Sequence, residues 1–130
     1  MKNTTEVGRF GETVAANYLK ENKYKILTQN YFSSHNEIDI IAENKKYIVF
    51  VEVKTRTIIE KSTYEYETPA SAVTYSKQKR ILAAAQAYLN ENHTRKIPRL
   101  DVLEIYLSKS FVDGKPEVVK INHIEDAFSN

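Results

Sequence analysis

The chain of 130 residues (15.0 kDa) is 42% hydrophobic and 28% charged with three Pro and three Gly, which excludes extensive disorder and fits one core, so one domain over residues 1–130 is expected. Cysteine is absent, which excludes disulfides and thiolate metal sites and leaves carboxylates and the three histidines as metal ligands, a set that favours hard cations. Nineteen Lys and Arg against seventeen Asp and Glu (formal charge +2, pI near 8.7) neither demand nor exclude a polyanionic partner, while the lack of any apolar run near the roughly 18 residues of a membrane span, or of an apolar leader, makes a cytoplasmic protein the expectation.

Along residues 5–21, Val7, Phe10, Val14, Tyr18 and Leu19 recur mostly at spacings of three and four, and Thr4 or Thr5 stands where a cap is needed, which predicts an amphipathic helix. Gly8 and Gly11 fall inside it, where each costs about 1 kcal/mol relative to Ala, so another element is expected to approach that backbone closely. Residues 24–32 are rich in strand formers and 33–36 read as a turn. Apolar runs at 38–42 and 47–53, separated by a polar 43–46, predict a β-hairpin.

Residues 58–69 show no period and read as a loop, suited to a lid or an arm. A long helix is predicted over 71–92, with Val73, Lys77, Ile81, Ala84 and Tyr88 on one stripe and an Ala-rich centre. Residues 99–107 read as a strand, Asp113-Gly114 as a tight turn, 117–121 as the returning strand, and 124–128 as a short closing helix. The order is α β β β α β β α, an α/β fold with a mixed sheet flanked by helices.

The hairpin carries the chemistry. Strand alternation puts Ile48, Phe50, Glu52 and Lys54 on one face of its second strand, and Glu37, Asp39 and Ile41 on one face of its first. An even-numbered hairpin loop brings Asp39 opposite Glu52 or two residues away, with side chains about 5 to 8 Å apart. Two carboxylates so placed repel unless a proton or a cation compensates, and a divalent ion on oxygen ligands is one solution. Lys54, further along the same face, is then placed to orient or deprotonate a water, an arrangement suited to phosphodiester hydrolysis with Mg²⁺ or Mn²⁺. An ion-pair cluster at a sheet end, with no metal, accounts for the same three residues equally well.

Glu12 joins this group if the first helix crosses the hairpin; otherwise it is a solvated helix glutamate. His35, His93 and His123 have no ligand spacing to one another and read as surface residues. Lys77, Lys79 and Arg80 form either a solvated helix face or a contact for backbone phosphates.

Gly8-Arg-Phe-Gly-Glu12, Glu37-Ile-Asp-Ile-Ile-Ala42, Phe50-Val-Glu-Val-Lys-Thr-Arg56, Ala72-Val73 with Lys77 and Arg80, and Arg99-Leu-Asp101 occur in an order that resembles the YraN-like family of small bacterial proteins, over most of the chain. That family is similar in fold to the PD-(D/E)XK nucleases, including the archaeal Holliday junction resolvases, so the resemblance implies a restriction-endonuclease-like sheet. It further implies Glu12 as the helix carboxylate, Asp39, Glu52 and the Val53 carbonyl as metal ligands, and Lys54 as the catalytic lysine. Asn36 stands where a Gly is usual before Glu-Ile-Asp, and Asn also adopts left-handed backbone.

The expected function is therefore a metal-dependent endonuclease-like protein acting on DNA, branched or otherwise non-duplex, with Arg9, Arg56, Lys77 and Arg80 guiding phosphates. By analogy with branched-DNA enzymes of this fold, a homodimer is expected. A non-catalytic nucleic-acid-binding module, or a protein-interaction adaptor working through residues 58–69, are the alternatives on the same fold.

Overall fold

The computed structural model describes residues 6–58, 73–112 and 114–128, the side chains of 110–112 excepted. Its elements run α1 (Glu6–Glu21), β1 (Lys25–Ser33), β2 (Asn36–Glu43), β3 (Tyr47–Ile58), α2 (Tyr75–Glu91), β4 (Ile97–Val112) and β5 (Lys115–Ile124). The five strands form one sheet in the order β1-β2-β3-β4-β5, with β3 and β4 parallel and the other neighbours antiparallel. The mixed α/β class is as expected from the sequence. Among the described residues no helix is long and apolar enough to cross a membrane.

The alternation of β3 decides where the helices go. Val49, Val51 and Val53 point to one face, where Ala15, Ala16 and Leu19 of α1 cover them together with Leu103, Ile105 and Leu107. Ile48 and Phe50 point to the other, under Ile81, Ala84 and Ala85 of α2 with Leu100 and Val102. A three-layer α/β/α arrangement results, in which both faces of β3 are buried, as its unbroken apolar run requires.

Gly11 accounts for the close seating of α1. A Cβ built there would stand 2.9 Å from both Cβ and Cγ2 of Thr55 on β3, and closer still to Thr55 Oγ1, so the helix rests on this strand only because the side chain is absent. The helix ends in left-handed Lys23 (φ 71°), with Lys23 N donating to Lys20 O (3.1 Å) and Tyr24 N to Leu19 O (2.9 Å), the paired bonds of a Schellman close. Asn44 shapes the β2–β3 hairpin, its Oδ1 accepting from the amides of Lys46 (2.9 Å) and Tyr47 (2.7 Å).

Four local expectations are corrected. The second helix begins at Tyr75 rather than at residue 71, because Thr74 caps it, its hydroxyl accepting from Lys77 N at 3.2 Å. Residues 124–128 form no helix: Asp126 is left-handed (φ 51°), and the amides of Asp126 and Ala127 donate to Asp101 Oδ1 (3.0 Å) and Leu100 O (2.7 Å), tying the tail to β4. In the β1–β2 turn the left-handed residue is Ser34 (φ 57°), and Asn36 already pairs with Ser33, so no glycine is needed at position 36. His123 lies in β5, 9% exposed, and not on the surface. The loop expected at 58–69 lies outside the described residues apart from Ile58, the last residue of β3.

Asp101 gathers the polar groups at this end of the fold. Its carboxylate meets Arg99 Nη2 (2.8 Å), His123 Nε2 (2.7 Å) and Asp126 N (3.0 Å) while fully buried. Burial alone would push its pKa up, but the hydrogen bonds from His123, Arg99 and Asp126 and the Arg99 charge outweigh it and hold the carboxyl below its ordinary 3.8.

Two predictions follow from the packing and from this cluster. Gly11→Ala should lower the urea midpoint by the equivalent of about 1–3 kcal/mol, overpacking against Thr55 outweighing the gain in helix propensity; an unchanged midpoint would disprove the close seating. Because Asp101 binds its proton less readily folded than unfolded, its stabilisation is whole above pH 3.8 and is lost as pH falls through its lower folded value. Asp101→Asn should therefore destabilise at neutral pH, with its deficit against wild type closing in acid, measured as unfolding midpoints from pH 7 downward.

Candidate active site

Strands β2 and β3 are paired from Glu43↔Ile48 to Ile40↔Val51 and then part, β2 continuing along β1 and β3 along β4. Asp39 and Glu52 are the first residues beyond the last pair, so the same register sets them opposite each other at the fork. Parting strands leave main-chain groups without a ladder partner, and Asp39 supplies one: its Oδ2 accepts from Val53 N at 2.8 Å. Because the N–H and C=O of one strand residue project to the same side, the Val53 carbonyl also faces the gap.

Both carboxylates lie on the α2 face and are almost wholly buried, Asp39 1% and Glu52 3% exposed. Burial, then the charge of Asp39, pushes the Glu52 carboxyl up from 4.5 to about 7, against the opposing pull of Lys77. Lys77 Nζ, from the first turn of α2, stands 2.6 Å from Glu52 Oε2. Lys77 is thus the counter-charge on a buried carboxylate oxygen. The pair opens into a cavity of about 420 Å³ whose walls include Asp39, Glu52, Ser76, Lys77, Arg80 and the half-exposed ring of Phe32.

The structure therefore brings together Asp39, Glu52, Lys77 and Arg80. Lys54 follows Glu52 on the same face of β3, about 7 Å further along the strand and half-buried, but it is not on the cavity wall. Arg56, two residues beyond, holds the fully buried Glu104 through Nε at 3.2 Å. Glu12 is buried (8% exposed) on α1, beside Gly11 over β3, and is likewise absent from the cavity wall. Arg9 is exposed on α1, which covers the opposite face of the sheet from Lys77 and Arg80. Among the described residues no group of three or more His, Cys, Asp or Glu is disposed to hold a metal ion, and those at the fork offer two carboxylates and main-chain oxygen.

Sequence reasoning missed two features. The helix pattern leaves Lys77 either a solvated face or a phosphate contact, and its pairing with Glu52 is an addition: nothing in the spacing of a helix relates it to a strand residue 25 positions earlier. Glu104, which accepts from Tyr106 OH (2.6 Å) as well as from Arg56, carries the same signal as Asp39 and Glu52, an acid interrupting an apolar stretch of strand.

The sequence profile described as "Uncharacterised protein family UPF0102" matches residues 11–105, a span that includes the fork, the Lys77–Glu52 pair and Asp101. The chain belongs to this family. The YraN-like resemblance read from the motifs is thus borne out. UPF0102 proteins of Caldanaerobacter subterraneus subsp. tengcongensis (42% identical, covering 97% of each chain) and Caldicellulosiruptor bescii (41% identical, 97% of this chain and 99% of the relative) are similar throughout. One of Clostridioides difficile is 40% identical over 97% of this chain and 99% of its own.

The buried carboxylate pair makes a prediction of its own. Glu52 has a folded pKa above its unfolded 4.5, so the metal-free native state retains a proton that the unfolded chain has lost, and stability falls as pH rises from 4.5 toward about 7. Glu52→Gln, with nothing to ionise, should gain about 1–3 kcal/mol on wild type across that interval, read as urea midpoints in EDTA. Wild type and variant with parallel pH profiles would show that the carboxylate is not held against its charge.

Proposed function

We propose that this UPF0102 protein is a Mg²⁺- or Mn²⁺-dependent phosphodiester hydrolase, an endonuclease-like enzyme acting on DNA that is branched or otherwise non-duplex. One observation carries the reading: two facing, buried carboxylates at the β2–β3 fork, countered by one ammonium, open into a cavity lined by Lys77 and Arg80. Ionised carboxylates are costly to bury, and a pair of them is retained where a cation is to be held. The donor set fits a hard divalent ion: Asp39 and Glu52 with the Val53 carbonyl, all oxygen ligands. Two protein carboxylates with open positions suit Mg²⁺, which keeps several waters.

When bound, the ion would polarise a phosphate and lower the pKa of a bound water. Asp39 has a second duty, since it also holds the Val53 amide and with it the edge of the site. Lys54, next on the same face, is the residue to orient the attacking water, and Glu12 assists from α1. Lys77 and Arg80 on the cavity wall receive the phosphate, with Arg56 further along β3 on the same face; Arg9, on α1 over the opposite face, stands apart from this path. Phe32, 51% exposed at the rim, offers an apolar face to an unstacked base, which favours a non-duplex substrate.

Asp39→Asn tests this reading cleanly, because the Asn carbonyl can still accept from Val53 N while the charge is removed. Nicking of a branched DNA substrate in Mg²⁺ is expected to fall at least about a hundredfold with folding retained. Cleavage at the wild-type rate would sink the assignment. DNA binding that is salt-dependent, indifferent to Mg²⁺ and unaccompanied by cleavage in the wild type would instead support the non-catalytic binding module.

A further inference from the structure

Lys77 stands in an unusual place for a lysine. Thr74 caps α2, so Lys77 is the third residue of the helix, where the macrodipole disfavours a cation, and no acidic residue in that first turn offsets it. Its ammonium is nonetheless 2.6 Å from Glu52 Oε2, turned in to the fork as the compact charge of a lysine allows. The side chain is 38% exposed, so its stem has a way out into the cavity, where Ser76 and Arg80 lie beside it.

We infer that Lys77 is a resident counter-ion, which occupies the cation position of the Asp39–Glu52 pair in the resting protein and is displaced from it by the divalent ion onto the substrate phosphate. This rests on the metal reading above and adds an order to it. A divalent ion on Glu52 Oε2 and an ammonium within 3 Å of the same oxygen repel strongly in a buried site, so one leaves when the other arrives. The released ammonium stays on α2, near Arg80 and the positive end of the helix, where a phosphate gains most from it. Ion and phosphate therefore promote each other's binding, through one side chain that serves the carboxylates first and the phosphate afterwards.

The test compares Lys77→Met with Lys79→Met, which removes the same charge from the same helix but from a lysine lying 5.0 Å over the Tyr75 ring. Mn²⁺ affinity is read without any substrate, by paramagnetic broadening of amide signals around Asp39, Glu52 and Val53, with the remaining signals of each variant reporting that it is folded. Lys77→Met is expected to bind Mn²⁺ about tenfold tighter than wild type, and Lys79→Met to stay within about twofold because an exposed charge is screened. In wild type, Mg²⁺ should shift the Lys77 Nζ resonance of ¹⁵N-lysine-labelled protein and leave that of Lys79 in place. If both variants tighten binding equally, or Lys77→Met weakens it while wild type binds Mn²⁺, the counter-ion role is overturned and the metal site stands. If neither wild type nor Lys77→Met binds Mn²⁺, the inference falls together with the metal reading.

Discussion

The geometry of this protein depends on how the parting of β2 and β3 is closed. A sheet that forks leaves amide groups facing a gap, and a buried amide without a partner is among the most costly features a fold can contain. Here the gap is bridged by a side chain: Asp39, the first residue past the last β2–β3 pair, accepts the Val53 amide at 2.8 Å. That bond fixes the depth of one carboxylate, and the register of the pair sets Glu52 against it. The candidate site is thus a by-product of satisfying the backbone, which explains why its two acids can be held at less than 4% exposure on strands rather than on loops.

The two faces of β3 divide the work. Its odd positions, Val49 to Val53, are closed over by α1, and the seating is so near that Gly11 tolerates no side chain against Thr55. Its even positions start apolar at Ile48 and Phe50 under α2, then turn polar from Glu52 onward, through Lys54 to Arg56 with Glu104. Because α2 begins at Tyr75, its N-terminal turn overlies the change from apolar to polar, which is how a helix lysine reaches a strand glutamate. Rigid packing on one face holds the chemistry on the other in place.

Much of this was legible in the sequence because strands obey a period of two whatever they pack against. The alternation through Tyr47 to Lys54 gives the faces, and a loop of even length puts Asp39 opposite Glu52 or two residues away, of which the register selects the first. Helix starts were less legible: the 3.6-residue stripe runs back to Val73 without a break, and only the Thr74 hydroxyl on Lys77 N decides where the helix begins. Long-range pairings were not legible at all. His123 is joined to Asp101 and Tyr18 across 22 and 105 residues, and a periodic pattern carries no information about partners in other elements.

The fold buries acids of two kinds, and their contrast separates support from chemistry. Asp101 is fully buried, yet Arg99, His123 and the Asp126 amide satisfy it so completely that its pKa is lowered, which marks a group whose charge the native state prefers. Glu52 is buried almost as deeply, but its neighbours are another carboxylate and one ammonium with a route to solvent, and its pKa is raised. Equal burial with opposite shifts means that the difference lies in the partners and not in the depth. The protein has the means to neutralise a buried acid and uses them in full at Asp101. At the fork it supplies one half-exposed lysine, so Glu52 is left incompletely compensated, the condition on which the proposed cation site rests.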